Sequence, residues 1–157
     1  MAIDLMGPFP SGEYLLVVID YFSRFQEIAI MKKITSEKII LQLDSMFARH
    51  GLPCTMRSVN RPQFVSEEFK GYLDLNGIKH IRTTPYWPQG NGEVERQSRT
   101  LLKAIKAANA EGKDWRQELP EFLLAYRATP HSTTGKSPFI TVNYCITGNP
   151  YQATRNE

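Results

Sequence analysis

The chain has 157 residues, enough for one domain with a hydrophobic core and too few for two comfortable domains. Hydrophobic residues make up 41% and charged residues 22% of the sequence, which excludes a disordered tail. No apolar run approaches the roughly 20 residues of a membrane span, so we expect no membrane association. The net charge of +3 is compatible with a polyanionic partner and does not require one.

Cysteine usage and the N-terminal segment bear on the cellular compartment. Cys54 and Cys145 are far apart and belong to no CxxC or Cys/His spacing, which predicts neither a disulfide framework nor a zinc finger. The first ten residues lack the basic and apolar regions of a secretory signal. The sequence therefore predicts an intracellular protein, and because it holds no repeat or linker we expect a single domain over residues 1–157.

Strand patterns dominate the first third of the chain. Residues 14–21 read YLLVVIDY, a nearly continuous apolar and β-branched run typical of a strand buried on both faces. Residues 25–31 are predicted as its hairpin partner, and residues 2–6 as a short strand before a Gly-Pro turn. Two more short strands are predicted over 54–59 and 79–84.

Helical periodicity follows. The first predicted helix has Ser36 as its N-cap and ends before Gly51, and the second begins at Ser66 and stops at Asn76-Gly77. Each carries apolar residues on one face, so each is expected to pack against the sheet.

A long helix is predicted over about 93–110, with Val94, Leu101, Leu102, Ile105 and Ala108 on its inward face. Asp114 opens a last helix, in which we expect Pro120 to bend the helix or divide it. Strands first and interleaved helices afterwards predict an α/β fold with a mixed sheet covered by helices.

Four sequence blocks stand above this background: DLMGPFP from residue 4, SVNRPQFVSEEF from 58, PYWPQGNGEVER from 85 and YRATPHSTTGKSPF from 126. Their order and spacing resemble the integrase catalytic core of gypsy-type retrotransposons and, more distantly, the retroviral integrase core. The resemblance covers about residues 3–139, which leaves 140–157 as a C-terminal extension. It implies an RNase H-like fold with a five-stranded mixed sheet flanked by helices, without the zinc-binding N-terminal and C-terminal DNA-binding domains of complete integrases.

The resemblance also implies a metal site made by three carboxylates. In this family two aspartates and a glutamate hold a pair of Mg²⁺ or Mn²⁺ ions, which activate the attacking oxygen and stabilise the leaving oxygen of a phosphodiester. The first aspartate corresponds to Asp4 and the glutamate to Glu95. The second aspartate falls thirty-five intervening residues before Glu95, at position 59, and position 59 is Val.

Val59 and Arg61 depart from the family pattern Ser-Asp-Asn-Gly-Pro-Gln-Phe within one heptapeptide. Valine offers no ligand atom, so we expect that the metal pair does not assemble, that no metal is bound and that strand transfer is lost. Arg61 places a permanent cation beside the expected site. Its guanidinium either neutralises Asp4 and Glu95 in place of metal or points outward, and the sequence leaves both open.

DNA is the partner that the resemblance implies. Glu95, Arg99, Lys103 and Lys106 recur at helical spacing on the long helix, and Arg96 flanks them. In the family this helix lies against DNA, and the loop holding Tyr86 and Asn91 approaches the DNA ends. We expect weak, salt-sensitive DNA binding, since phosphate contacts survive the loss of catalysis. A DNA partner favours a nuclear location.

Related cores pair as two-fold dimers, so a homodimer is predicted. The candidate interface residues lie in the last helix, although burial within the monomer would explain them equally well: they are Trp115, Phe122, Leu123 and Tyr126. No small-molecule substrate is indicated.

Two functional hypotheses stay open. In the first the chain is an inactive core, a domesticated host protein or a decaying copy, that persists as a DNA-binding or oligomerisation module. In the second it is an active polynucleotidyl transferase that uses a substitute acid or a partner chain. Each motif alone also has an ordinary interpretation: Asp4 suits a turn, and Glu95 with Arg99 suits a solvated ion pair.

Overall fold

The computed structural model describes residues 1–83 and 92–141. Its contacts group these residues into two compact units. The first contains Met1–Ile19 and Glu27–Leu102, and the second contains Asp20–Gln26 and the chain from Lys103 onward.

A five-stranded mixed sheet is the centre of the first unit, with the strand order β3-β2-β1-β4-β5. β1 pairs antiparallel with β2 and parallel with β4, and β4 pairs parallel with β5. Hydrophobic residues fill β1 and β2, so almost every position of these central strands is buried. The strands are β1 Ala2–Met6, β2 Tyr14–Ile19, β3 Gln26–Met31, β4 Thr55–Ser58 and β5 Lys79–Arg82.

Three helices of the first unit follow from caps and apolar stripes. In α1 (Ser36–His50) the Thr35 side chain caps the N-terminus, and Gly51 ends the helix with a positive φ of 81°. The single turn α2 (Pro62–Val65) begins at a proline, which needs no helical N–H there. In α3 (Glu67–Leu75) the Ser66 side chain accepts a hydrogen bond from the N–H of Phe69.

One apolar cluster joins these helices to one face of the sheet. Its members alternate along β1 and recur at helical spacing in α1 and α3, because only one face of each element is turned inward. The cluster includes Ile3, Leu5, Leu16, Ile39, Leu43, Met56, Phe64, Phe69 and Leu73. Phe69 is fully buried and contacts both the ring of Phe64 and the ring of His80.

Two longer helices follow: α4 (Gly92–Ala110), which runs from the first unit into the second, and α5 (Trp115–Ala128) in the second. Val94, Leu101, Ile105 and Ala108 of α4 are buried, as predicted, whereas Leu102, which was predicted with them, is half-buried. In the second unit Arg127 of α5 donates two hydrogen bonds to the carbonyl of Gln26, and its guanidinium lies 4.4 Å from the centre of the Phe25 ring.

Several sequence predictions need correction. The N-cap of α1 is Thr35 and not Ser36, whose hydroxyl instead donates to the Gln63 carbonyl. The turn α2 was not predicted. The structure has α5 as one continuous helix with Pro120 inside it, so Pro120 does not divide the helix; the alternative, that it bends the helix, stays a prediction.

Within residues 1–83 and 92–141, no helix is long and apolar enough to cross a membrane.

Candidate functional site

Asp4 lies in the middle of the sheet at the end of the β1–β4 pairing. The register pairs Ile3 with Ser58, so Asp4 follows the last paired residue of β1 and Val59 follows the last residue of β4. The Asp4 side chain is only 17% exposed. Its Oδ1 accepts a hydrogen bond of 2.8 Å from the N–H of Leu5. The fold therefore brings positions 4 and 59 to adjacent strand ends, as the resemblance implies.

Ser58, the residue before position 59, is fixed by hydrogen bonds to β5 and to the residue that follows it. Ser58 is fully buried, and its Oγ lies 2.8 Å from Nε2 of His80 on the neighbouring strand. The Ser58 carbonyl accepts hydrogen bonds from the N–H and the hydroxyl of Thr83, at 2.8 and 3.1 Å. These contacts fix the position of the end of β4, and therefore the position of the backbone at residue 59.

Val59 itself packs against the apolar cluster of the first unit. That cluster contains Ile3 and Leu5, the two neighbours of Asp4 on β1. The position at which the resemblance implies a metal-binding aspartate is thus used here for apolar packing. A valine side chain there contributes no ligand atom and no charge.

Arg61 points toward Asp4 and not outward. Its Nη2 donates a 2.8 Å hydrogen bond to the carbonyl of Leu5, and its Nε lies 3.9 Å from Oδ1 of Asp4. The sequence left two orientations of the Arg61 side chain open, and the structure has the one that faces the Asp4 carboxylate.

Glu95 lies in the first turns of α4 and is 45% exposed. Its carboxylate lies 3.9 Å from the guanidinium of Arg99, one helical turn later. The negative charge of Glu95 also affects Asp4. Burial raises the pKa of Asp4 above the ordinary value of 3.8, and the hydrogen bond from the Leu5 N–H and the charge of Arg61 oppose this rise. The Glu95 charge adds to the rise. Asp4 and Glu95 are thus close enough to interact electrostatically.

These residues do not fit the metal pair of the family. Two closely spaced dications need several shared anionic ligands, and here only Asp4 and Glu95 remain, each with a guanidinium within 4 Å. Among the described side chains, which do not include that of residue 93, no cluster of three or more His, Cys, Asp or Glu that could hold a metal ion occurs.

The acids nearest in sequence have other surroundings. Asp20 accepts hydrogen bonds from the N–H and the hydroxyl of Ser23, so it stabilises a turn. Glu67 and Glu68 are exposed in the first turn of α3.

The predicted DNA-binding residues fall into two groups. Arg96, Arg99, Lys103 and Lys106 are all exposed on α4, opposite its buried residues. Tyr86 and Asn91 lie outside the described residues. The helix therefore offers basic side chains to solvent along about three turns, which is the arrangement that contacts with phosphates require.

The predicted dimer residues lie on α5. Trp115 is buried within its unit, so its sequence signal is explained by packing. Phe122 and Tyr126 stack on each other at 6.5 Å and are half-buried like Leu123, and the Tyr126 hydroxyl donates to the carbonyl of Arg24. Leu124, which was not among the predicted residues, is 60% exposed. Its spacing of two residues from both Phe122 and Tyr126 is the sequence signal that puts it on the other side of the helix.

Asp4→Asn tests the cost of the buried carboxylate. Because burial raises the pKa of Asp4, the folded state binds this proton more tightly than the unfolded chain does, and stability falls as pH rises from 3.8 through the folded pKa. We expect the variant to have a higher Tm than the parent at pH 7 and a smaller difference at pH 4. Thermal unfolding across this range, with the exposed Glu121→Gln as control, measures the effect. A lower Tm of Asp4→Asn at pH 7 would show that the Arg61 contact outweighs the burial.

Comparison with known proteins gives relatives by sequence. The chain matches no family profile. It is 37% identical over 137 residues to an uncharacterised protein of Caenorhabditis elegans, covering 87% of this chain and 11% of that protein. It is also 37% identical over 129 residues to the Gag-Pol polyprotein of avian reticuloendotheliosis virus, covering 81% of this chain and 11% of the polyprotein. The chain thus spans about a tenth of the length of these relatives.

Solved structures show the same fold. The catalytic core domain of BIV integrase matches with a TM-score of 0.74 at 20% identity, over 93% of this chain and 95% of that one. The HTLV-2 integrase catalytic core domain in complex with magnesium, in a trimeric form, matches with a TM-score of 0.72 at 20% identity, over 89% and 93%. The five-stranded sheet and its helices therefore have the RNase H-like fold of integrase catalytic cores.

Sequence and fold agree on the family. The chain is an integrase core domain, homologous to the integrase region of retroviral and retrotransposon polyproteins. This confirms the predicted fold and the predicted relationship to integrases. The gypsy-type assignment stays a prediction.

Proposed function

We propose that this chain is an integrase-derived core, of gypsy-type retrotransposon origin, that binds DNA without cutting or joining it. The observation that carries the proposal is the side chain at position 59, which packs against the apolar cluster where the family has a metal ligand. Two-metal phosphodiester chemistry needs the shared ligands that this position supplies. We therefore expect no strand transfer from the chain and no tightly bound Mg²⁺ or Mn²⁺.

DNA binding does not depend on that chemistry. The exposed Arg96, Arg99, Lys103 and Lys106 of α4 supply positive charge along one helix. Basic side chains bind the phosphate backbone by releasing condensed counterions, so their affinity is salt-dependent and independent of base sequence. A chain that retains this helix retains weak DNA binding, and we extend the proposal to a nuclear location.

Self-association is the second part of the proposal. Leu124 exposes a large apolar side chain on the same helix as the stacked Phe122 and Tyr126. Symmetric pairing is the commonest form of association between copies of one chain. We propose a homodimer through α5.

A triple substitution tests the DNA-binding helix. We expect R99Q/K103Q/K106Q to bind double-stranded DNA more weakly in EDTA and to flatten the dependence of log K on log salt, by about 0.9 for each lost phosphate contact. Fluorescence anisotropy of a labelled duplex, measured over a series of NaCl concentrations, gives both quantities.

The control removes the same charge elsewhere. K32Q/K33Q/K79Q also deletes three exposed positive charges, from residues outside α4. If both triple variants lose the same affinity and the same salt slope, net charge and not α4 determines binding, and the proposed interface is wrong. If the parent binds no DNA at low salt, the proposed function itself is wrong.

A further inference from the structure

Backbone hydrogen bonds fix the position of Arg61 in the fold. It follows β4 and is the N-cap residue of α2, directly before Pro62. Its N–H donates to the carbonyl of Val59, and its own carbonyl accepts from Phe64 and Val65. Hydrogen bonds on both sides of the residue thus hold its Cα at the end of β4.

From this position the side chain reaches across to β1. The guanidinium contacts two consecutive residues of that strand, through the 2.8 Å hydrogen bond to the Leu5 carbonyl and the 3.9 Å approach to the Asp4 carboxylate. The Leu5 carbonyl is 56 residues earlier in the chain, so this is a long-range tertiary contact. The guanidinium thus donates one hydrogen bond to the Leu5 carbonyl and forms an ion pair with the Asp4 carboxylate.

Each of the two carboxylates has a positive charge beside it without any metal ion. Asp4 and Glu95 each carry one negative charge, and each has one guanidinium within 4 Å, from Arg61 and Arg99 respectively. The Arg61 side chain is 41% exposed and its partner 17%, so the Asp4 pair is the less solvated of the two. Charge interactions are screened less at such a position, and an arriving dication would meet a fixed positive charge there.

We propose that the Arg61 guanidinium is the resident cation of this site: it takes the place of a metal ion beside Asp4 and excludes divalent cations from it. The inference rests on the integrase relationship and on the two contacts of Arg61. It does not rest on DNA binding, so it stands or falls separately from the proposed DNA-binding function.

Divalent-ion binding tests the proposal directly. We would restore the acid with V59D and then vary position 61, measuring the Kd for Mn²⁺ alone by electron paramagnetic resonance of the free ion, without DNA. V59D/R61G is expected to bind Mn²⁺ about tenfold or more tightly than V59D, because one fixed positive charge has been removed from the site.

Two further variants separate charge from size. V59D/R61Q keeps a bulky side chain with an amide donor but removes the charge, so it is expected to bind Mn²⁺ like V59D/R61G. V59D/R61K keeps the charge without the fork, so it is expected to bind as weakly as V59D. Circular dichroism establishes that each variant is folded before it is titrated.

Three results would overturn the proposal. V59D could bind Mn²⁺ as tightly as V59D/R61G, which would mean that Arg61 excludes nothing. V59D/R61Q could bind as weakly as V59D, which would mean that bulk and not charge excludes the ion. Finally, all folded variants could fail to bind Mn²⁺, which would mean that the loss of binding has a cause other than Arg61.

Discussion

V59D/R61G is expected to nick supercoiled plasmid DNA in the presence of Mn²⁺, whereas the parent chain leaves it intact. The two substitutions restore the third carboxylate and remove the guanidinium that lies beside Asp4. The register pairs Ile3 with Ser58, so Asp4 and position 59 follow paired residues of neighbouring strands, about 5 Å apart across the sheet. The restored set of three carboxylates is the ligand set on which two-metal catalysis depends.

The matched control is V59N/R61G. Asparagine has the shape of aspartate and places the same polar group against the apolar cluster, but it supplies no negative charge. We expect the aspartate variant to nick at least about 100-fold faster than the asparagine variant, since only the carboxylate can hold the metal pair. Adding Glu95→Gln to V59D/R61G is expected to abolish the gain.

The parent chain provides the contradicting result. Mn²⁺-dependent nicking by the parent that disappears in Glu95→Gln would show that two carboxylates suffice or that a partner chain completes the site. The alternative of an active polynucleotidyl transferase would then be correct, and the proposed loss of catalysis would be wrong.

Local elements of the fold were predictable because their signals are local. The strand over residues 2–6 and the apolar face of α4 follow from hydrophobic patterns of period 2 and 3.6, and the structure confirms both. The turn α2 was missed because four residues are too few to show periodicity. The choice of Thr35 over Ser36 as N-cap depends on whether Ser36 finds a partner in the chain near Gln63, which lies far away in sequence.

The site was predictable only in part, because several of its contacts join residues that are far apart in sequence. The adjacency of positions 4 and 59 follows from a resemblance that fixes which strands pair, and the parallel pairing of β1 with β4 confirms it. The direction of the Arg61 side chain depends on the Leu5 carbonyl, whose position is set by the whole sheet. The Ser58–His80 contact also joins two strands, and neither residue belongs to a sequence motif that predicts this contact.

Phe69→Ala is expected to destabilise the first unit by about 3–5 kcal/mol, which is the usual effect of removing a fully buried phenylalanine ring. The ring of Phe69 lies between two other rings, tilted at 5.5 Å from Phe64 and edge-on at 5.6 Å from His80. Both aromatic contacts and the buried volume are lost together, so neighbouring side chains can close the cavity only in part. Urea unfolding followed by circular dichroism measures the free energy of unfolding.

The control for this prediction lies on the same helix. Leu75 is 87% exposed at the end of α3, so Leu75→Ala is expected to change the free energy of unfolding by no more than about 0.5 kcal/mol. Equal effects of the two substitutions would contradict the packing described for the apolar cluster.

The ring of His80, which Phe69 contacts, also forms a hydrogen bond with Ser58, the residue before position 59. We therefore expect Phe69→Ala to lower Mn²⁺ binding when it is combined with V59D/R61G, even at temperatures at which the variant is folded. A combined variant with unchanged Mn²⁺ affinity would show that the end of β4 is positioned without this aromatic support.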